Sequence, residues 1–378
     1  MRRSFFYWLG LLFLLSRLWL LLWLLIWSVF TGSPPDFFAL MPQGDGKWYV
    51  DIVTHGYEPA SQLSNYIKEH NWAFFPLYPL LVFLLTKIFP GLSVAVVALL
   101  FNQVIFFLFM VVASKYYLIT RSGNKQLGTP SAQLKLTAPL LFLLTFGFGS
   151  FYFQVLLPEV LLALLVAISF LLLRQRRFWA ASLVAAAASA SAISGVILGL
   201  VIVGNYLFVT GKKHSPHRLR RAWLALGMLT LSTAGCWLYS LYLYFWLGNP
   251  FAWLKAQAAW GREVITYVNS VHTNFSLAQI WWFTTTALVI IFLLFWAIYR
   301  QRHYGEIFFV AVLLLGALST SLQSLPRYTF TCLPLLCLLA DALRQLPHRY
   351  YQIFFALILA ALNMIMFFAW LGGNVIAK

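Results

Sequence analysis

The residues best suited to chemistry lie in a polar stretch near the start of an otherwise apolar chain. Asp45 stands between Gly44 and Gly46, two residues that allow the backbone to turn tightly. Apolar residues then recur at helical spacing and predict a short amphipathic helix: Trp48, Tyr49, Ile52 and Val53. This pattern places one carboxylate at the start of a helix. A carboxylate there can exchange a proton with a substrate, and it can equally serve as the N-cap of the helix.

Other polar and aromatic side chains form a wider set of candidates, and each also has a purely structural explanation. Asp51 fits a solvated helix face or an i, i+4 pair with Lys47. The side chains that could contact a polar ligand are Glu159, Asp51, Tyr57, His70, Asn71, Gln257 and Trp260. Two further lone cations, Arg262 and Arg327, suit either an anionic ligand or snorkelling to lipid headgroups. No metal site is predicted, because Asp45 and Asp51 lack a second cluster of oxygen ligands.

The composition shows what kind of molecule must position these residues. Of 378 residues, 62% are hydrophobic and only 9% are charged, against about 25% in ordinary soluble domains. This excludes a soluble enzyme, a secreted disulfide scaffold and a disordered chain. The apolar runs are unbroken, which favours helices over the alternating strands of a membrane barrel. We therefore predict an all-α polytopic membrane protein with a single domain over residues 1–378.

The apolar runs predict about eleven membrane crossings. The predicted helices are 5–30, 93–119, 137–151, 156–173, a hairpin over 178–209 broken near Ser194 and Gly195, 222–247, 278–299, 307–321, 328–343 and 351–371. Arg17 falls inside the first helix and must snorkel or face a polar interior. Residues 74–89, interrupted by two prolines and a lysine, are predicted to lie in the interface without crossing.

Charge sets the predicted sidedness of these helices. The net charge is +17, and most of the cations lie in short loops, as the positive-inside rule expects for the cytoplasmic side. Seven of the nine acids then fall outside: Asp36, Asp45, Asp51, Glu58, Glu69, Glu159 and Glu263. The outer segments 31–92 and 248–277 are expected to form the functional face.

The stretch around Asp45 resembles the first luminal loop of the PIG-V family, mannosyltransferases that add the second mannose to GPI precursors, and it resembles the bacterial members more closely. Family members show Trp-Asp-Gly, an aromatic pair, Ile and Gly-Tyr, followed by Ala-Phe-Phe-Pro and a later Pro. The matching residues here are Asp45-Gly46, Trp48-Tyr49, Ile52, Gly56-Tyr57 and residues 73–79.

Further matches follow in the family's order, so that the resemblance covers residues 14–340. They are Asn102, Glu159 in its Pro-Glu-Val-Leu-Leu context, the stretch 248–262 with Gln257, Trp260 and Arg262, and Arg327-Tyr328. Two positions depart from the pattern. Gly44 replaces the family's Trp, and residues 192–195 lack its Arg and Asn.

The resemblance implies an inverting GT-C membrane glycosyltransferase that uses a polyprenyl-phosphate sugar on the non-cytoplasmic face, without a cofactor. It implies Asp45 as the catalytic base, with Arg327, Arg262 and Lys47, in that order, on the donor phosphate. Asp45 and Arg327 are expected to face each other across the sugar, about 6–12 Å apart and without a direct salt bridge.

The expected partners are a polyprenyl-phosphate sugar donor, a lipid or glycan acceptor and membrane lipids, with the chain acting as a monomer and without nucleic acid. We expect a bacterial inner membrane, or the endoplasmic reticulum in a eukaryote. The alternatives are a lipid or sugar transporter and a non-catalytic membrane subunit.

Overall fold

The computed structural model describes residues 3–32, 41–62, 69–122, 129–211, 218–257, 304–320 and 325–372. Within these ranges the regular structure is helical, with no strand, as the sequence predicts. The α-helices are α1 (Arg3–Thr31), α2 (Gly46–His55), α3 (Leu77–Ile88), α4 (Val94–Arg121), α5 (Pro130–Thr145), α6 (Glu159–Arg174), α7 (Phe178–Ser191), α8 (Ile197–Thr210), α9 (Arg218–Leu247), α10 (Ala252–Ala256), α11 (Tyr304–Thr320), α12 (Leu325–Phe330), α13 (Leu333–Gln345) and α14 (Arg349–Leu371).

The chain forms two compact units, which are described separately. The first unit comprises Met1–Lys47, Gly91–Ala167 and Pro326–Lys378, and the second comprises Trp48–Pro90 and Ile168–Leu325.

In the first unit, α5 is the central helix and packs against α1, α4 and α13. Its start is well defined: the hydroxyl of Thr129 accepts a hydrogen bond from the amide of Ala132, and Pro130 occupies the first turn. Aromatic side chains of α4 fill the space towards residues 150–153, where Phe106 stacks on Phe153 with ring centroids 5.7 Å apart. These residues are fully buried and form the core that supports the polar site.

Arg17 is accommodated inside the first unit by polar and aromatic partners. Its guanidinium donates to Oε1 of Gln103 on α4 and lies over the rings of Phe13 and Phe106 at 4.8 and 4.7 Å from their centroids. Of the two alternatives for Arg17, the structure therefore shows a polar contact within the helix bundle.

In the second unit, α7 and α9 pack closely against each other. A Cβ added to Gly235 would lie 2.2 Å from the carbonyl oxygen of Ala186, so the two backbones approach as only small residues allow. The predicted break in 178–209 is confirmed, because α7 ends at Ser191, residues Ile193–Val196 form a 3₁₀ turn, and α8 then begins. At this break Gly195 packs directly on the backbone of Ala188.

Five helical segments of the described chain are long and apolar enough to cross a membrane: Arg3–Thr31, Val94–Arg121, Ile193–Thr210, Arg218–Leu247 and Arg349–Leu371. The helix α3 has 12 residues, a length of about 18 Å, against about 30 Å for a hydrocarbon core. The non-crossing of residues 74–89 stays a prediction, because α13, with 13 residues, is nearly as short and lies in a predicted crossing. The count of eleven crossings stays a prediction, and the predicted helix 278–299 lies outside the described residues.

The predicted continuous helix 328–343 is wrong. Helix α12 ends at Phe330, Cys332 takes an extended conformation, and α13 begins at Leu333. The reason is Pro334, whose ring would clash with the carbonyl of Phe330 in an unbroken helix.

Two buried acidic side chains are paired with arginines that end helices. In the first unit Oδ2 of Asp341 lies 2.8 Å from Nε of Arg121, and the Tyr117 hydroxyl donates to Oδ1 at 2.6 Å. In the second unit Oε1 of Glu306 lies 3.2 Å from Nη2 of Arg174. Burial would make either acid costly without a partner. The charge pattern of the sequence predicts that both lie on the inner side.

Candidate active site

Three ionisable residues that are far apart in the sequence meet in the first unit. Nη1 of Arg327 donates to Oδ2 of Asp45 at 2.6 Å, and Nε of Arg327 lies 3.0 Å from Oε1 of Glu159. The side chains of Arg327 and Glu159 are 5% and 6% exposed, whereas that of Asp45 is 14% exposed. The cluster is therefore a buried guanidinium between two carboxylates, of which Asp45 is the more accessible to solvent.

The turn that carries Asp45 depends on the glycines at either side. Gly44 has a φ of +56°, a left-handed conformation that favours glycine. A Cβ added to Gly46 would lie 2.7 Å from the carbonyl oxygen of Leu156, so the loop approaches the segment before Glu159 closely. The predicted tight turn and the amphipathic helix after it are both confirmed, since α2 begins at Gly46.

Asn102 fixes the segment that leads to Glu159. Its side chain is fully buried on α4, and Nδ2 donates to the carbonyl oxygens of Val155 at 2.7 Å and Leu157 at 3.0 Å. The amide therefore gives the carbonyl of Leu157 a donor and adds a second donor to that of Val155, which also accepts the backbone amide of Leu157, and it holds the start of α6 against α4.

Arg327 lies on the short helix α12, where it is surrounded by charge and by aromatic rings. Its guanidinium carbon is 5.4 Å from the ring centroid of Tyr328. Burial lowers the pKa of Arg327, but the carboxylates of Asp45 and Glu159 outweigh burial and raise it above its ordinary value. The guanidinium therefore stays charged. It forms a charge-assisted hydrogen bond with Asp45 and an ion pair with Glu159.

The direct contact between Asp45 and Arg327 contradicts the predicted separation of 6–12 Å without a salt bridge. An uncompensated buried guanidinium is very costly, so Arg327 takes both carboxylates within its reach. Asp45 nevertheless keeps one carboxylate oxygen available, since no described residue donates a hydrogen bond to its Oδ1. The arrangement can hold an ionised carboxylate in a fixed orientation with one oxygen able to accept a proton.

A second polar cluster lies in the second unit and is built around Asn71. The fully buried Asn71 side chain donates to Asp51 Oδ2 at 3.2 Å and to the carbonyl of Gly56 at 3.1 Å, and its Oδ1 accepts the amide of Glu58. Nδ1 of His70 lies 2.7 Å from Oε2 of Glu58, and its ring stacks on Trp72. Asn71 and His70 thus connect α2 to the chain after it.

Tyr57 and Gln257 contact the same segment through its backbone. The Tyr57 hydroxyl donates to the carbonyl of Phe74 at 2.8 Å, and Nε2 of Gln257 lies 3.4 Å from the carbonyl of Ala73. Burial raises the pKa of Tyr57, so its hydroxyl remains a neutral donor. Both side chains contribute to the packing of the 3₁₀ turn Asn71–Ala73.

Of the remaining candidates, Asp51 belongs to the second cluster through Asn71, whereas Lys47 joins neither cluster in the described chain. Lys47 is exposed. Asp51 takes its i, i+4 partner from the following turn, where Nδ1 of His55 lies 2.8 Å from Oδ1. Arg262 and Trp260 lie outside the described residues.

Sequence reasoning missed Tyr239 and Trp246 on α9. The Tyr239 hydroxyl donates to the carbonyl of Trp72 at 2.8 Å, and the Trp246 indole donates to the carbonyl of Glu58 at 3.0 Å. With Tyr242 they are spaced three and four residues apart, so that they share one face of a helix. That spacing could have been found in the sequence.

Among the described residues, no group of three or more His, Cys, Asp or Glu side chains is arranged to hold a metal ion. Comparisons with protein-family models, with curated proteins and with solved structures find no match to this chain. The arguments for function therefore rest on the residues and their geometry.

Proposed function

We propose that the chain is an integral-membrane inverting glycosyltransferase of the GT-C type. It would move a sugar, mannose or another hexose, from a polyprenyl-phosphate donor to a lipid or glycan acceptor. The observation that supports this proposal is the convergence of Asp45, Glu159 and Arg327 from three distant segments of the chain. Each of these residues also lies in a motif that resembles the PIG-V family.

The proposed reaction needs one base and a stabilised leaving group. Asp45 accepts the proton of the acceptor hydroxyl through Oδ1 while the hydroxyl oxygen attacks the anomeric carbon. The bond from that carbon to the phosphate oxygen breaks on the opposite face, so that the configuration inverts and polyprenyl phosphate leaves. The phosphate is already a good leaving anion and therefore requires cations more than a general acid. Lys47, which belongs to the same unit as Asp45, is proposed as one of its ligands.

The proposed location is the outer face of a bacterial inner membrane. The acids of the polar loops face outward under the positive-inside rule, and Asp45 belongs to this set. The chain would act as a monomer on donor and acceptor lipids that diffuse in the same membrane.

Asp45→Asn tests the base directly, because the amide keeps the shape of the side chain and loses its basicity. Purified protein in lipid vesicles would be given radiolabelled polyprenyl-phosphate hexoses and a bacterial lipid extract as acceptor. We expect wild-type transfer and a loss of about 10²–10⁴-fold in turnover for the variant. Glu69→Gln is the matched control, since Glu69 is an exposed acid of the same outer loop and should leave turnover unchanged.

A transporter is the alternative, and the same vesicles distinguish it. Movement of the sugar lipid between leaflets, without a new glycosidic bond and with no difference between wild type and Asp45→Asn, would overturn the enzyme proposal. Thermal unfolding of both variants in detergent shows whether a loss of transfer reflects loss of the fold.

A further inference from the structure

Glu159 contacts the guanidinium of Arg327 at a different nitrogen from the one that holds Asp45. Oε1 of Glu159 faces Nε, while Asp45 binds Nη1. Glu159 is buried, and no described residue forms a hydrogen bond to its Oε2. Among the described residues, Glu159 and Asp45 share no hydrogen bond. They are connected through the guanidinium of Arg327 and by the electrostatic repulsion between their two carboxylates.

We propose, on the premise of the function proposed above, that Glu159 is a positioning residue that acts on Asp45 through Arg327, and that Arg327 orients the base instead of binding the donor phosphate.

The charge of the cluster supports this assignment. One guanidinium between two carboxylates gives a net charge of −1 when all three groups are ionised, and burial strengthens each interaction among them. A donor phosphate placed on Arg327 would bring a further negative charge into contact with Asp45 and Glu159. Like charges at this distance repel strongly. A site for a phosphate anion is therefore better served by cations outside the cluster.

The rigidity of the surroundings supports it as well. Asn102 holds the carbonyls of Val155 and Leu157, so the start of α6 and the Glu159 backbone are fixed against α4. The carbonyl of Leu156 also touches Gly46, beside Asp45. A base that is held from both its backbone and its carboxylate keeps one orientation, and a general base must lie within hydrogen-bond reach of the proton it takes.

The charged and titratable groups around Asp45 allow the sign of a pH effect to be stated. Arg327 and Glu159 lie in the cluster, Tyr152 and Tyr328 face it, and the exposed Lys47 follows two residues later in the chain. Removal of the Glu159 charge removes its repulsion of the Asp45 carboxylate, and Arg327 then interacts with a single carboxylate, that of Asp45. The acid limb of the pH–rate profile should then move to lower pH. Removal of the Arg327 charge should move it to higher pH, by about one pH unit or more.

The experiment compares Glu159→Gln, Glu159→Asp, Arg327→Gln and Arg327→Lys. Glu159→Gln should reduce kcat by about 10-fold to 100-fold and change the donor KM by less than about threefold. Glu159→Asp, which keeps the charge, should recover part of kcat, as should Arg327→Lys. The two glutamine variants should shift the acid limb in opposite directions. A merely structural role for Glu159 would not produce opposite shifts.

A second readout does not depend on transfer activity. Carbodiimide modifies protonated, accessible carboxyls, so the extent of Asp45 labelling against pH can be followed by mass spectrometry in each variant. The labelling midpoint should fall in Glu159→Gln and rise in Arg327→Gln. If wild type labels as expected but transfers no sugar from any donor, the proposed function fails while the coupling of the three residues stands.

Two results would overturn the positioning role. One is unchanged kcat, pH profile and labelling midpoint in Glu159→Gln. The other is a donor KM raised at least tenfold in Arg327→Gln with the acid limb in place, which would assign Arg327 to the phosphate. If a glutamine variant does not fold, Glu159→Ala or Arg327→Ala takes its place, because alanine also removes the charge and the same opposite shifts of the labelling midpoint are expected.

Discussion

The carboxamide of Asn102 is the residue-scale feature on which the geometry of Glu159 depends. Its Nδ2 donates to two carbonyls of the irregular segment before α6, and a buried carbonyl without a partner costs about 1–3 kcal/mol. The carbonyl of Val155 would keep the backbone amide of Leu157 as a donor. We expect Asn102→Ala to lower the free energy of unfolding by about 1–3 kcal/mol and to reduce sugar transfer, because the start of α6 loses its support. Thermal unfolding in detergent and the vesicle transfer assay measure the two effects.

The matched control for this prediction is Asn205→Ala. Asn205 also lies within an apolar helix, but its Nδ2 donates only to the carbonyl of Val201, one turn earlier, and that carbonyl is already available to the helix ladder. The control should cost less than about 1 kcal/mol. Equal losses in the two variants would show that Asn102 contributes no more than an ordinary helix residue.

At this scale the sequence identifies the important residues better than it identifies their partners. Asp45, Glu159 and Arg327 could be selected because each is a lone charge in a distinctive motif. Their contact could not be predicted, since Asp45 and Arg327 are 282 positions apart and nothing local records that distance. The ligand contacts of Asn71 and His70 stay a prediction, and the protein partners that the structure shows for them could not be predicted from the sequence.

At the scale of elements, the break between α7 and α8 depends on Gly195. A Cβ at this position would lie 2.2 Å from the carbonyl carbon of Ala188, closer than any real contact and against backbone that cannot move freely. We expect Gly195→Ala to destabilise the second unit by about 1–3 kcal/mol or more, as overpacking does. A fall in the unfolding temperature in detergent would measure it.

Gly204→Ala is the control for this prediction, since Gly204 lies on α8 with no atom within 4 Å of an added Cβ. Alanine is favoured over glycine inside a helix by about 1 kcal/mol, so this variant should be neutral or slightly more stable. If Gly195→Ala were equally well tolerated, the close approach to Ala188 would not be a constraint on the fold.

The helix boundaries illustrate how far local signals reach. The break near Ser194 and Gly195 was predictable, because the apolar run was too long for one crossing and contained a Gly. The break before α13 was missed although Pro334 is visible in the sequence, since the apolar pattern continues across it. Hydrophobic periodicity reports which side chains are buried and does not report breaks in the backbone. The break before α13 arises from the backbone, because the ring of Pro334 would clash with the carbonyl of Phe330 in a continuous helix.

At the scale of the whole molecule, the first unit contains two charged sites that contact α4 at different heights: the Asp45 site and the Arg121–Asp341 pair. Asn102 holds the segment beside the Asp45 site, and Arg121, at the end of the same helix, pairs with Asp341. The helix advances about 28 Å between these two residues, close to the thickness of a hydrocarbon core. The segment that leads to Glu159 and the Arg121 pair therefore contact α4 at points about 28 Å apart along its axis.

Because the two sites are separated by about the thickness of a hydrocarbon core, we predict that they lie on opposite sides of the membrane. The basic segment 120–136 follows α4 and is predicted to be cytoplasmic, because residues 74–89 are predicted to lie in the interface without crossing. Ser131, at the start of α5, and Ser61, in the outer loop, are both exposed. In a variant whose three buried cysteines are replaced, we expect an impermeant maleimide added to intact bacteria to label Ser61→Cys and to leave Ser131→Cys unlabelled.

Both positions should react once the membrane is permeabilised, which shows that each cysteine is accessible in the folded protein. Labelling of Ser131→Cys in intact cells would place the Arg121 end outside and Asp45 with the cytoplasm, where a polyprenyl-phosphate sugar that faces outward could not reach it.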